Sequence, residues 1–469
     1  MISIRDTNKY YHTGFILDTD LYRLWKTGGY GKIYINKYNR CVIKRLERYC
    51  SYHETDKDKN DVSYCSIYSC MIQEAAFSRK LTIFPHFLSL RSIQLCPSYI
   101  YIVQDFMGHS FHRLPETILQ NTNLLNDMIF RMIRACFILY KNGIQHIDLK
   151  PSNVLYNTDT NAVTVIDYNS MSVTYINDLQ EHVWTDGIGT WMYAAPEIIL
   201  EGKIYKNTSV WAIGMIICHL LGIYPLQKKY YPNSIADTVH HLERSDFQRI
   251  IVSIFEEEEI LFESSLSSVD PKYTYILSRI FKKEPQDRIS IEKLYYLWAI
   301  TFQLKPSMDI DMLYHEVMVK PYTGYEPSTR KKLIEITYNF CVQQNQLYKF
   351  CNMIHIFDHF SSHITVSNEL KIIFASWILI TCIMNEELFQ YIPTLEHIEQ
   401  TYQVYTYEIT DIVWIIGDYL EWNLYEKPVD VWLHEHGKTI DYNLIKDTFI
   451  HIHYKYSMKL LYEKITHSV

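Results

Sequence analysis

No apolar run in this chain is long enough to cross a bilayer. The two longest, Val210 to Leu221 and Ile372 to Met384, fall short of the ~18 residues that a span requires, so both are expected to be buried helices and no membrane span is expected. The amino-terminal stretch MISIRDTNKYYHTG has neither an apolar core nor a small-residue cleavage site, which argues against a signal peptide. Basic charge is scarce as well. With 45 Lys and Arg against 53 Asp and Glu, the net charge of −8 offers no field for a nucleic-acid backbone, and no nucleic-acid partner is expected. The ten cysteines show no metal-ligand spacing and read as free, mostly buried thiols of a reducing compartment, cytoplasmic or nuclear.

What is present is the material of a packed protein, 48% hydrophobic and 21% charged. A length of 469 residues exceeds what one core usually supports, so two folding units are expected. Near the start, LYRLWKTGGYGKIYINKYNRCVIKRL alternates apolar and polar residues around a glycine cluster, the pattern of a β-hairpin followed by a further strand. From Asn123 the spacing turns helical and closes on Gly143, and helices dominate from there on. Three prolines between Lys305 and Pro327 mark a linker. Beyond it come five helical stretches: Ser328 to Gln344, Tyr348 to Ser361, Asn368 to Asn385, Thr394 to Gln403 and Thr406 to Trp422. Short connections between them argue a compact helical bundle.

One set of residues, in order, carries phosphoryl-transfer chemistry, which needs cations near phosphates, oxygen ligands for a metal ion and an acceptor for a hydroxyl proton. Gly28 and Gly31 let backbone approach a phosphate where a side chain would collide; a plain glycine-containing hairpin explains them equally well. Lys44, at the end of CVIK, can reach the α- and β-phosphates, and Glu74 in YSCMIQEAAFSRKL can hold that lysine in place. The segment HIDLKPSN supplies Asp148 as proton acceptor, Lys150 for the transferring phosphoryl group and Asn153 as a metal ligand. Asp167, after the strand AVTVID, is the second metal ligand.

With these elements in this order, residues 21–303 resemble the eukaryotic protein kinase superfamily, in its serine/threonine branch and closest in form to cyclin-dependent kinases. The resemblance implies an α+β bilobal fold, with a β-rich N-lobe and a helical C-lobe, and ATP and Mg²⁺ as cofactors. YIVQDFM looks like the hinge, with Gln104 at the gatekeeper position, Asp105, Phe106 and Met107 along the adenine edge, and Ile33 and Leu155 lining the same cleft. Thr190, in GTWMYAAPE, stands at the substrate-docking end of the activation segment, and Arg288 is the expected partner of Glu197. Four residues depart from the pattern: Lys26 replaces the first glycine, Asn169 the last residue of D-F-G, Ile147 the arginine of H-R-D, and Ser209 a bracing aspartate. Thr185 occupies the place of an activating phosphothreonine, yet Ile147 removes one cation of that phosphate's cradle.

The helical region resembles a cyclin box. TRKKLIEI and IFDHFSS match its first two helix motifs, which implies an ion pair between Arg330 and Asp358. The lysine and glutamate through which cyclins meet their kinase fall near Met384 and Val413, both apolar here. The expected organisation is an extension at 1–20, a protein kinase domain at 21–303, a linker at 304–327, an all-α cyclin-like domain at 328–428 and a helical extension at 429–469. The expected activity is transfer of the ATP γ-phosphate to protein serine or threonine hydroxyls, with the cyclin-like domain as intramolecular activator and other proteins as substrates. The alternative is a pseudokinase scaffold or protein-interaction module with a generic helical C-terminal domain; a small-molecule phosphotransferase is a further class, against which the segment GTWMYAAPE argues. The forty tyrosines and the compact fusion would suit a large DNA virus.

Overall fold

The structure, a computed structural model, describes residues 17–18, 20–28, 31–38, 41–47, 62–88, 90–96, 99–173, 179–180, 191–223, 248, 269–306, 327–361, 369–384, 391–404, 406–420, 422, 424, 427–452 and 456–467. Contacts divide the chain into two compact units. One comprises Met1–Thr82, Ser89–Phe106 and Leu313–Val469, the other Ile83–Leu88 and Met107–Met312.

The first unit contains a five-stranded antiparallel sheet of β1 (Tyr22–Gly28), β2 (Gly31–Asn36), β3 (Cys41–Glu47), β4 (Leu90–Leu95) and β5 (Tyr99–Asp105), in the order β1-β2-β3-β5-β4. β1 and β2 are the hairpin expected from the alternation, closing at the pair Gly28 and Gly31, with a bulge at Trp25 between Leu24 and Lys26. Gly31 has a structural reason of its own: a Cβ there would lie 2.4 Å from the carbonyl oxygen of Arg45 on β3. Backbone crowding alone therefore demands glycine at this position.

Helix α1 (Val62–Leu81) packs on β4. From Met71 to Leu81 every residue except Arg79 is buried, unlike a surface helix with one wet face. Its second cover comes from far along the chain. The carboxy-terminal helices of the same unit, in continuous chain-order numbering, are α8 (Pro327–Gln343), α9 (Leu347–Ser361), α10 (Glu369–Ile383), α11 (Ile392–Tyr402), α12 (Thr406–Tyr419), α13 (Val429–Glu435), α14 (Tyr442–His451) and α15 (Met458–His467). Residues Ile372 to Ile383 of α10 are buried without interruption, so this is the central helix of the group; it packs on α9, on α12 and on α1.

The expected pair of Arg330 and Asp358 is present as a fork. Arg330 Nε donates to Asp358 Oδ1 at 3.0 Å and Nη2 to Oδ2 at 2.7 Å. The last helices close over it: Arg330 Nη1 donates to the carbonyl of Phe449 at 2.7 Å, and the hydroxyl of Tyr456 donates to Asp358 Oδ2 at 2.7 Å. Residues after 428 thus complete the surroundings of a buried charge pair rather than merely trailing the bundle.

The second unit is built on α3 (Thr122–Lys141), which follows the short helix α2 (Glu116–Leu119) and is capped by the Asn121 side chain accepting from the Leu124 amide. Its helical pattern ends, as the sequence implies, before Gly143, which takes the left-handed φ of +66°. Two small antiparallel sheets lie beside it: β6 (His109–Ser110) with β8 (Val154–Asn157) and β9 (Ala162–Val165), and β7 (Ile144–His146) with β10 (Met171–Val173). Gly108, at φ +103°, carries the chain into β6 so close to Tyr156 that a Cβ would sit 2.1 Å from its carbonyl oxygen. The unit also holds helices α4 (Pro196–Glu201), α5 (Thr208–Leu220), α6 (Pro271–Ile280) and α7 (Ile291–Thr301), with α7 packed on α3, and a further antiparallel pair of short strands, β11 (Leu179–Gln180) and β12 (Ile204–Tyr205). Among the described residues no helix is long and apolar enough to cross a membrane.

Candidate active site

Lys44 lies within β3, paired across the sheet with Ile33 of β2 and Ile102 of β5. Its ammonium is 3.1 Å from Glu74 Oε2, with the lysine side chain 13% and the glutamate 2% exposed. The two residues matched by motif order are thus neighbours in space. At the end of β5, the Asp105 carboxylate accepts from Arg91 on β4. The ring of Phe106 meets that of Trp25, with centroids 6.0 Å apart. Nothing in the sequence pattern marks Trp25; it is the bulged residue before the glycine turn, and a bulge turns a side chain out of the strand's alternation.

In the second unit, Asp148 and Lys150 form an ion pair at 2.5 Å between Oδ2 and Nζ, with the carboxylate 10% exposed and the ammonium 22%. The side-chain amide of Asn153 donates to the backbone carbonyl of Asp148 at 2.9 Å. Backbone bonds continue the frame: the amide of Asn153 donates to the Lys150 carbonyl, and that of Ile166 to the Asn153 carbonyl, both at 2.9 Å. Buried His146 hydrogen-bonds the carbonyl of Ile166 through Nε2 at 2.9 Å, and burial holds its pKa below the usual imidazole range. These links bring the loop of Asp148 and the strand end at Asp167 together, although the chain between them makes a full hairpin. Leu155 is half-buried on β8. Ile147, in the place of the missing arginine, is half-buried and its amide donates to the Ser170 carbonyl at 3.0 Å.

Asp167 adopts a left-handed backbone, φ 71° and ψ 69°, a conformation costing a non-glycine residue on the order of 1 kcal/mol. Its neighbour Tyr168 anchors it. The buried hydroxyl accepts from the Leu88 amide at 2.7 Å and donates to the Val165 carbonyl at 3.1 Å. A phenylalanine could make neither bond, so this tyrosine adds a fixing point that the sequence pattern does not reveal.

The expected contact of Glu197 with Arg288 is a buried fork at 2.8 and 2.9 Å, to which Thr208 adds a hydroxyl donor at 2.8 Å. Thr185 and Thr190 lie outside the described residues. Gly28 ends β1 as described above, and Met107 is half-buried after β5.

The donors suit a magnesium ion. Asn153 spends its amide N–H on the Asp148 carbonyl, so its oxygen is the atom it would offer a cation, and Asp167 would offer a carboxylate. One amide oxygen and one carboxylate form the sparse, hard-oxygen set of a magnesium ion that keeps waters and phosphates as its other ligands. Clusters of three or more His, Cys, Asp or Glu, as a structural transition-metal site would need, are absent among the described residues.

A strand lysine held by a helix glutamate thus stands in the first unit, and an Asp-Lys-Asn loop tied to a left-handed aspartate stands in the second. Residues 27–297, more than half of the chain, match the protein kinase domain family, and the chain belongs to that family. Its relatives include Mitogen-activated protein kinase 10 of Oryza sativa subsp. japonica, 25% identical over 45% of this chain and 37% of that protein. Mitogen-activated protein kinase mpk-1 of Caenorhabditis elegans is 28% identical over 41% of this chain and 46% of its own length. Mitogen-activated protein kinase HOG1 of Arthrobotrys oligospora is 25% identical over 43% of this chain and 60% of its own. The chain spans less than two thirds of each of these relatives.

Proposed function

We propose that this chain is an ATP- and Mg²⁺-dependent protein serine/threonine kinase whose helix α1 is held in its working position by its own carboxy-terminal, cyclin-like domain. The observation that carries the reading is the closed pair of Lys44 and Glu74 on a helix covered by β4 on one side and α10 on another. Asn153 and Asp167 would hold Mg²⁺, which would supply charge neutralisation for the ATP phosphates. Lys44, fixed by Glu74, binds the α- and β-phosphates. Asp148 accepts the proton of the attacking hydroxyl, and Lys150, its neighbour at 2.5 Å, offsets negative charge on the transferring group. The kinase names of the relatives support protein substrates.

The cyclin-like reading draws on the order of five helices, the Arg330–Asp358 fork and a central third helix laid against α1. Met384 and Val413, in place of the charged contacts of cyclins, are both buried. A scaffold without transfer activity is disfavoured because every charged group that the chemistry needs is present. The activity test is incubation with labelled ATP and a peptide library; Asp148→Asn is expected to lower transfer about 10²–10⁴-fold. For the activator, a protease site placed among residues 307–326 would be cut. Separation of the halves by dilution is expected to abolish most activity, because the tether supplies roughly millimolar effective concentration. Full activity after separation would exclude activation in cis and leave the kinase assignment standing.

A further inference from the structure

Glu74 is not the only side chain that ties α1 to the sheet. Ser78, fully buried, accepts a hydrogen bond from the side-chain amide of Gln104 at 3.2 Å, and Gln104 is itself only 5% exposed. The strand register explains why the two ties are neighbours. Val42 lies opposite Gln104 and Lys44 opposite Ile102, so Lys44 and Gln104 project from one face of adjoining strands. Glu74 and Ser78 are four residues apart and share one face of the helix. These two polar points between sheet and helix lie about one helical turn, ~6 Å, apart.

A helix pinned at one point can pivot about it. The ammonium of Lys44 is a compact charge that accepts a carboxylate from a range of directions, so that pair alone leaves the rotation of α1 loosely set. An amide-to-hydroxyl bond is directional, and turning the helix would strand both groups in a buried, apolar setting. The gatekeeper position is thus occupied by a side chain that reaches the helix.

We propose that Gln104 and Ser78 are positioning residues for phosphate transfer, their hydrogen bond setting the rotation of α1 so that Glu74 meets Lys44. This rests on the reading of Lys44 and Glu74 as the working pair. The test uses the full chain carrying Ser78→Ala, Gln104→Met or both, followed by hydrogen exchange of α1 amides and by steady-state kinetics. Each single change is expected to speed exchange in α1 and to lower kcat about threefold to tenfold, with peptide KM and exchange in α3 unchanged. The double change is expected to be no worse than the more severe single one, because both delete the same bond. Unchanged exchange in Ser78→Ala, which removes a single oxygen atom, would overturn the proposal even if Gln104→Met failed to fold. So would losses that multiply in the double variant, or a fall in kcat matched by an equal rise in peptide KM. A wild-type chain without any transfer would remove the kinase reading instead, a result that exchange of α1 distinguishes.

Discussion

Glu74 and Glu197 are almost equally buried, at 2% and 3% exposure, and each faces a cation, yet the two pairs are built differently. Glu197 is gripped by both arms of Arg288 and by Thr208, and the same guanidinium also donates to the carbonyls of Asn207 and Lys282, each at 3.1 Å. Glu74 Oε2 lies 3.1 Å from the round ammonium of Lys44, and the lysine keeps some access to solvent. The planar fork fixes distance and direction together; the point charge fixes distance alone. A joint with both fixed has no play, whereas one with distance alone fixed keeps some. A third case extends the contrast. Asp430, fully buried in the helical domain, accepts from the Tyr442 hydroxyl at 2.8 Å but has no ion-pair partner among the described residues, and burial raises its pKa from 3.8 to about 6.

The largest expected effect comes from breaking the fork. Arg288→Met would leave Glu197 charged and enclosed, lowering unfolding free energy by about 3–5 kcal/mol in urea titrations. Asp430→Asn sharpens the contrast in the opposite direction. A carboxyl group whose folded-state pKa is raised gives its full stability below about pH 4 and loses it as the pH climbs through about 6. The asparagine variant is therefore expected to gain about 2–3 kcal/mol over the wild type at pH 7.5 and nothing at pH 4, read from melting at both values. The smallest stability change belongs to Glu74→Gln, about 1 kcal/mol, while transfer is expected to drop about 10²-fold through misplacement of Lys44. Equal destabilisation by Glu74→Gln and Arg288→Met would erase the distinction between the two joints.

Much of this could be read from the chain before folding was considered. The five helices between 327 and 419 follow from their apolar spacing because each period is local, and the hairpin follows from alternation for the same reason. Asp148, Lys150 and Asn153 lie within six residues, so their mutual placement is mostly a matter of one loop. What escaped were bonds between distant positions: Gln104 to Ser78, Tyr168 to Leu88, and Tyr456 to Asp358. Each joins ordinary polar groups, a backbone amide in the case of Leu88, and the residue types announce no partner. Gly31 was legible as glycine but not for its reason, since the crowding carbonyl of Arg45 belongs to another strand. The grouping of the amino-terminal sheet with the last third of the chain was likewise hidden from periodicity, which reports faces and never what covers them.

That grouping has a consequence for how the molecule is made. Helix α1 leaves the ribosome early, while α10, which covers it, is translated some three hundred codons later. At 5–20 residues per second the wait is roughly a quarter of a minute to a minute. Through that interval the nascent sheet and its helix carry an unsheltered apolar flank, so chaperone dependence during synthesis should fall on the first hundred residues.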